Sequence, residues 1–534
     1  MNELPVLGSH YEVSSDQAAE NRTRWEALLL GLDEKLEGTA GQALTDLLNW
    51  RHFQRGMLLA RDRIRLLLDA DSPFLELLGF AGYELRHGSP AASLVAGIGL
   101  VGGVKCTITA HIPTINGGAW NEYTVKKQDR LSRIAQENGL PLIALVQSAG
   151  VFLPRQFHIF HPGGRLFHDL AVRSSLGTSS CAIVFGSSTA GGAYQPALSD
   201  YTIFVEKQAQ VFLGGPPLVK MATGEVVSAE DLGGAEMHAG VSGLGDGLAA
   251  DEFEAIAKAR TWVSTLKHDP IARTLPMKSS EPFYDPEELL GIVSADIRKP
   301  FDMREVVARI VDASKMEEFK PLYGKNLLTG WARIHGYTVG IIGNVNGVLF
   351  SPESKKGAQF IRMCNSTNTP IIFLHNVTGF MVGKSTERGG LIKDGAQFVS
   401  AVAVSKVPHI GVICGASYGA GNYAMCGRSY DPRFLFAWPN SRVSVMGPDQ
   451  LAGVMEQISR SSLSKISEEE RAKRTAELRA KVEQESSAYH TSAHLLDDGI
   501  IDPRDTRDVL GMCLEVVAET GIVGAEGFRG VSRM

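Results

Sequence analysis

The sequence predicts an α/β fold made of two domains built on one plan, and three observations carry this. Strand patterns alternate with helix patterns in both halves of the 534-residue chain. An apolar strand, a glycine turn and a small-residue helix start appear at Ser180–Ala197 and again at His409–Met425. Each is preceded by a matching strand, Pro141–Gly150 and Pro370–Gly379. The spacing repeats too: Gly150 to Gly192 is 42 residues, Gly379 to Gly421 is 42, and the copies are offset by 229. So long an offset reads as a duplicated domain, not a short-period solenoid. The expected domains are residues 1–275 and 276–534.

The elements follow in order. Residues 16–70 have helical apolar spacing, in Trp25–Gly31 and Gly56–Leu68, and Asp71-Ser-Pro73 stops the second helix. Strands are expected at Ser93–Val101 and Val104–His111, and a glycine loop at Ile115–Trp120. Tyr123–Ala135 reads as a helix with a basic face, where Lys126, Lys127 and Arg130 are either a solvated surface or a phosphate clamp. Gly163–Val172 is expected to be a helix opened by two glycines, Gly214–Lys220 a rigid turn, and Asp251–Leu266 an amphipathic helix. Lys267–Pro300, rich in Pro and charge, reads as the interdomain linker. The second half then repeats the logic: helix Ser354–Asn368, strand Pro370–His375, glycine loop Thr378–Gly383, helix Gly395–Val404. Arg442–Pro448 matches Gln210–Pro216. Charged Ile466–Ser487 and amphipathic Asp505–Glu519 are the last helices.

Composition excludes several classes. The chain is 44% hydrophobic and 21% charged, with a net charge of −6, which argues against a nucleic-acid binder with a dominant basic face. Cys106, Cys181, Cys364, Cys414, Cys426 and Cys513 form no C-x-x-C pair. They read as buried free thiols in a reducing cytosol, with no metal site. The stretch Met1–Gly8 resembles neither a secretory leader nor a transit peptide, and no apolar run is long enough to span a bilayer. A cytoplasmic protein is expected.

Three chemistries compete for the turn after His409. Gly415-Ala-Ser-Tyr-Gly419 fits the serine nucleophile elbow, with His490, His494 and Asp431 as distant partners. Its twin at Gly186-Ser-Ser-Thr-Ala190 fails that pattern, so a Ser417 hydrolase leaves the duplication unexplained. Gly419-Ala-Gly-Asn-Tyr-Ala424 fits a dinucleotide fingerprint, but the acidic residue expected about 20 positions on is missing. The third reading is a pair of oxyanion holes. Glycines let the backbone approach a ligand, and a helix start there aims unpaired N–H groups at developing negative charge. Neither turn contains an obvious acid or base, so backbone donors do the work.

These residues resemble a known family, the carboxyltransferase (β) subunits of biotin-dependent acyl-CoA carboxylases, most closely the methylcrotonyl-CoA and geranyl-CoA branch. The resemblance runs from about Gly56 to the C-terminus. It rests on Leu153-Pro-Arg-Gln156, Ser188–Tyr194, Gly214–Glu225, Thr378–Gly383, Gly415–Tyr423 and Asp497–Pro503. It implies two crotonase-like (ClpP/crotonase spiral) domains of ββα repeats, the first of one subunit serving the acyl-CoA and the second of its partner the biotin. It further implies a homohexamer of trimer-of-dimers type with active sites at dimer interfaces. A separate α subunit would carry biotin carboxylase and biotin, for an α6β6 enzyme, because this chain lacks a Met-Lys-Met biotinylation site.

The family mechanism needs no protein base. Carboxybiotin releases CO2, its ureido anion takes a proton from the acyl-CoA, and the resulting enolate attacks CO2. By the family pattern, N–H groups around Gly419, Ala420 and Gly421 hold the thioester enolate oxygen, and those of Gly191 and Gly192 hold the biotin carbonyl. The resemblance also implies acyl-CoA contacts at Lys126, Lys127, Ala149, Gly150, Gly163, Gly164, Ala193 and Tyr194, and biotin contacts at Thr378, Gly379 and Phe380. Two departures bear on substrate. The segment His158–Arg165 is about three residues shorter than in methylcrotonyl enzymes and has Gly163 in place of a phenylalanine, as the geranyl branch has. Ala149 replaces a family glycine. A glycine for a phenylalanine enlarges an apolar pocket, so the expected substrate is 3-methylcrotonyl-CoA or a larger, geranyl-CoA-like enoyl ester. A propionyl- or longer-chain acyl-CoA carboxylase is the alternative.

Overall fold

The computed structural model describes residues 4–39, 46–266, 273–451, 453–454 and 467–525. The chain forms two compact units. The early unit comprises Asp33–Ile271 with Ala493–Leu495, and the late unit comprises Met1–Leu32, Ala272–Ser492 and Leu496–Met534.

The early unit is built on an eight-stranded sheet. Its strands are β1 (Phe74–Glu76), β2 (Leu94–Val101), β3 (Val104–His111), β4 (Leu142–Ser148), β5 (Ser180–Thr189), β6 (Tyr201–Val205), β7 (Gln210–Phe212) and β8 (Gly247–Ala249). The order is β1-β2-β3-β4-β5-β6-β8, with β7 also on β5. The β1–β3 pairings are antiparallel and those from β3 onward parallel. Strands β4 and β5 are buried along nearly all their length, with apolar runs Leu142–Val146 and Cys181–Phe185 that suit a sheet covered on both faces. The core gathers Ile108, Ile143, Leu145, Ile183 and Phe185 with Ile256 and Val263.

The late unit repeats this with β9 (Met316–Glu318), β10 (Leu327–Ile334), β11 (Tyr337–Asn344), β12 (Gly347–Leu349), β13 (Ile371–Phe380), β14 (His409–Tyr418), β15 (Phe434–Ala437), β16 (Arg442–Ser444) and β17 (Gly499–Ile500). The order is β17-β15-β14-β13-β11-β10-β9, with β12 on β13 and β16 on β14. The repeat extends to defects in the ladders. Pairing of β4 with β5 slips between Val146 and Ser148, and pairing of β13 with β14 slips between His375 and Val377. Such irregularities re-aim side chains at strand ends.

Several expectations change. Gly186 and Gly415 lie inside strands, not in the turns that follow. A Cβ at Gly415 would meet Asn376 Oδ1 at 2.6 Å, so this glycine makes room for the neighbouring strand. Gly163 and Gly164 do not open a helix; they sit in the middle of one that runs Gln156–Ser175. Pro216–Thr223 is a helix, not a turn, because proline suits a first helical position. Of the expected linker, 267–272 lies outside the described residues. Its Leu289–Ile292 is helical, and Leu289, Leu290 and Val293 are buried in the late unit. Residues before Leu32 also count with the late unit, where Trp25 donates from Nε1 to Val293 O at 2.7 Å and packs edge-on against Trp438. Of Ile466–Ser487, the described helix covers Glu468–Glu485, and the final helix covers Thr506–Val517.

Lys127 shows how deep the repeat goes. It is fully buried on the helix Glu122–Glu137, and its Nζ donates to Ala91 O at 3.2 Å and Leu94 O at 2.6 Å. Its counterpart in the late unit, Lys356, is buried likewise and donates to Gly324 O at 3.4 Å and Leu327 O at 2.7 Å. Each ammonium caps carbonyls where the chain enters a sheet. Burial pulls Lys127 down to about 7 and Lys356 to about 8. Lys127→Met strands two buried carbonyls and is expected to cost about 1–3 kcal/mol. Urea unfolding measures it; an unchanged midpoint would contradict the capping role.

Candidate active site

In each unit one inner strand of the sheet, β5 or β14, ends in a turn that leads straight into a helix. In the early unit, β5 ends at Thr189 and Ala190 turns the chain with φ 52° and ψ −116°. The helix Gly191–Ala197 starts at once. Ala190 N donates to Phe212 O at 3.1 Å and Ala193 N to Ala190 O at 3.1 Å. Between them lie the N–H groups of Gly191 and Gly192, which helix geometry leaves without an intrahelical acceptor.

Close backbone approach shapes the surroundings. Gly150 has φ +83°, and a Cβ there would come within 2.7 Å of Thr189 O. A Cβ on Gly192 would meet Ser188 Oγ at 3.0 Å and Ser148 O at 3.2 Å. Ser148 Oγ accepts from Gly150 N at 3.2 Å and donates to Gly118 O at 2.8 Å. One wall is aromatic. A Cβ on Gly191 would lie 3.7 Å from Phe167 and 3.8 Å from Trp120. Phe167 packs against half-exposed Tyr194, with ring centres 5.5 Å apart. Trp120 Nε1 donates to His111 Nε2 at 3.0 Å, and burial lowers that histidine to about 4, so it stays neutral and accepting.

The late unit repeats the joint. Strand β14 ends at Tyr418, Gly419 takes φ +53°, and the helix Gly419–Ala424 begins. A Cβ on Gly421 would stand 2.6 Å from Val377 Cγ2 and 3.2 Å from Gly379 Cα, so any side chain collides with β13. Gly379 itself has φ +131°. Thr378, Gly379 and Phe380 end β13 beside this turn, and the Phe380 ring lies 3.1 Å from where a Gly395 Cβ would be.

The structure therefore gathers Gly150, Gly191, Gly192, Ala193 and Tyr194 at one turn, and Thr378, Gly379, Phe380, Gly419, Ala420 and Gly421 at the other. Ala149 is exposed next to them and donates its N–H to Gly117 O at 2.9 Å. Gly163 is buried in mid-helix with Val125 Cγ2 3.8 Å from its virtual Cβ, while Gly164 has nothing within 4 Å. Lys127 departs from expectation: both its contacts are interior carbonyls, so it is not a phosphate ligand. Lys126 remains exposed, with Nζ 5.6 Å from the Tyr123 ring centre.

Ser417 is no nucleophile. It is fully buried, where substrate cannot reach, and its Oγ lies 3.0 Å from His375 Nδ1. Burial lowers His375 to about 3. The sequence reading passed over His375, Asn422, Trp120 and Phe167. For His375, the signal was the 42-residue spacing, which separates it from Ser417 as it does the paired glycines.

The carboxyl transferase domain family matches residues 51–526. A probable biotin-dependent acyl-coenzyme A carboxylase beta2 subunit of Mycobacterium tuberculosis is 52% identical over 491 residues, 91% of this chain and 92% of the relative. A probable methylcrotonoyl-CoA carboxylase beta chain, mitochondrial, of Drosophila melanogaster is 47% identical over 558 aligned positions, 99% of this chain and 95% of the relative. Among solved structures, the beta subunit of Pseudomonas aeruginosa geranyl-CoA carboxylase superposes with a TM-score of 0.90 at 41% identity, covering 99% of this chain and all of that one. With two spiral α/β units, two glycine turns and this likeness over its length, the chain belongs to the carboxyl transferase family, as a crotonase-like carboxyltransferase subunit of the biotin-dependent acyl-CoA carboxylases.

Proposed function

We propose that the chain moves a carboxyl group from carboxybiotin to a branched 2-enoyl-CoA, with each glycine turn holding one developing oxyanion. The observation that carries this is the paired turn. Two strand-to-helix joints at matched positions of the duplicated units present first-turn N–H groups, and at both a glycine stands where a side chain would fill the approach. Preorganised N–H donors stabilise charge that appears only as the reaction proceeds, which lowers the barrier without tightening ground-state binding.

The turn at Gly191 and Gly192 fits a flat cyclic urea such as biotin. The Gly150 and Gly192 positions have no room for a Cβ, so the backbone itself forms the floor, and Trp120 and Phe167 form an apolar wall. Carboxybiotin supplies the carboxyl group there. The N–H groups of Ala420 and Gly421 hold the thioester oxygen as the acyl-CoA gains enolate character. By the family pattern each active site is shared by the early half of one subunit and the late half of its partner, so contacts to the two ligands interleave, and Thr378, Gly379 and Phe380 are taken as biotin contacts. Ala149, Gly150, Gly163, Gly164, Ala193 and Tyr194 are taken as acyl-CoA contacts, with exposed Lys126 left as the phosphate contact. The biotin arrives on a separate α subunit, and the chain assembles as a hexameric core of an α6β6 enzyme. All six cysteines are free and buried, which suits a reducing compartment such as the cytoplasm. Among the described residues no helix is long and apolar enough to cross a membrane.

Gly163 sets acyl length in this account. A Cβ there makes only ordinary contact with Val125, so a larger side chain can be introduced without a backbone clash. The substrate is accordingly 3-methylcrotonyl-CoA or a longer, geranyl-CoA-like ester. An acyl-CoA panel on the complex reconstituted with its α subunit, ATP and bicarbonate identifies it. Gly163→Phe is expected to raise the preference for methylcrotonyl- over geranyl-CoA by about 10–200-fold in kcat/KM. An unchanged ratio would remove Gly163 from the pocket. Light scattering should find about six chains in the isolated core; a monomer would contradict the assembly.

A further inference from the structure

Both turns hinge on a single positive-φ residue, Ala190 with φ 52° just before its helix and Gly419 with φ 53° as the first residue of its helix. A joint of one residue leaves the first helical turn free to rotate unless something else ties it. In each unit a buried serine supplies that tie. Ser188 and Ser417 are related by the duplication offset, and both are fully buried. They occupy the same ladder position just past the register slip, Ser188 opposite Ser148 and Ser417 opposite Val377.

Their hydroxyls reach the helix by different routes. Ser188 Oγ donates to Gly192 O at 2.8 Å, inside the first turn. Ser417 Oγ accepts from Asn422 Nδ2 at 2.8 Å and lies 3.0 Å from His375 Nδ1 on β13. The second arrangement is a three-part bridge from β13 through β14 to the helix. His375 is neutral and in the interior, so the bridge carries no charge to be titrated near neutral pH.

We infer that Ser188 and Ser417 are positioning residues that fix the two sets of oxyanion donors relative to their strands. The inference rests on the proposed carboxyl transfer and adds how the donors are held. Catalytic groups must stay within about 0.5 Å of productive geometry, and a displacement of about 1 Å can cost about 10²-fold in rate. A tie lost at the joint therefore shows in turnover before it shows in binding.

The test uses the full chain with its biotin-bearing partner subunit and both 3-methylcrotonyl-CoA and geranyl-CoA. Ser417→Ala is expected to lower kcat about tenfold, the size of one lost hydrogen bond, with KM within about twofold. Hydrogen exchange should quicken at the amides of 419–422. Asn422→Ala should act in the same direction, and the double variant should lose no more than Ser417→Ala alone, because that change already removes the bond to Asn422. Additive losses, an unchanged kcat, or a lower kcat with unchanged exchange would each overturn the inference. Asn422→Ala and Ser188→Ala, the latter read at 191–193, decide it if Ser417→Ala fails to fold. A wild-type chain that transfers no carboxyl group sinks the proposed function instead, and the exchange data then still decide whether the serines hold the turns.

Discussion

Everything at the two sites depends on backbone approaching backbone. At Gly421 a single methyl group would collide with Val377 and lie 3.2 Å from Gly379 Cα. At Gly150 it would press on the carbonyl of Thr189. These contacts bring strand ends and helix starts together so that amide N–H groups, not side chains, line the proposed reacting space. Amides are rigid and always protonated. A site made of them needs no tuned acid or base, which agrees with the neutral, buried state of His111 and His375.

The duplication explains what is shared, and the differences explain how the halves specialise. The buried lysines, the register slips and the joint serines recur at matched positions. What faces the turn does not. The early turn has Trp120 and Phe167 beside it. Apart from the matched pair Gly150 and Gly379, the late turn has Val377 where the early one has Ser148, and uses Asn422 where the early one uses a main-chain carbonyl. The frame is retained while the residues beside the turns diverge, which fits the proposal that the two turns hold different molecules.

Much of this was legible in the sequence. The α/β alternation, the offset and the glycines of the two turns all follow from local pattern, since strand periodicity and the need for a missing Cβ are written in single residues. What failed depended on tertiary partners. Lys126 and Lys127 are neighbours in sequence, but the helix turns one outward and the other into unsatisfied carbonyls. Gly163 and Gly164 looked like a helix start because glycine lowers helix propensity; packing around Ile159, Leu166 and Leu170 carries the helix through them. The assignment of Met1–Leu32 to the late unit rests on Trp25 reaching Val293 O, a contact across 268 positions that no local window holds.

The central claim is that each turn holds one oxyanion, and separated partial reactions test it most directly. Decarboxylation of free carboxybiotin and transfer to an enoyl-CoA would be measured in Gly192→Val and Gly421→Val. The account predicts that Gly192→Val loses both reactions by about 10²-fold or more, while Gly421→Val loses transfer to the same degree and keeps decarboxylation within about threefold. Equal losses of both reactions in the two variants, in chains that remain folded and assembled, would contradict it.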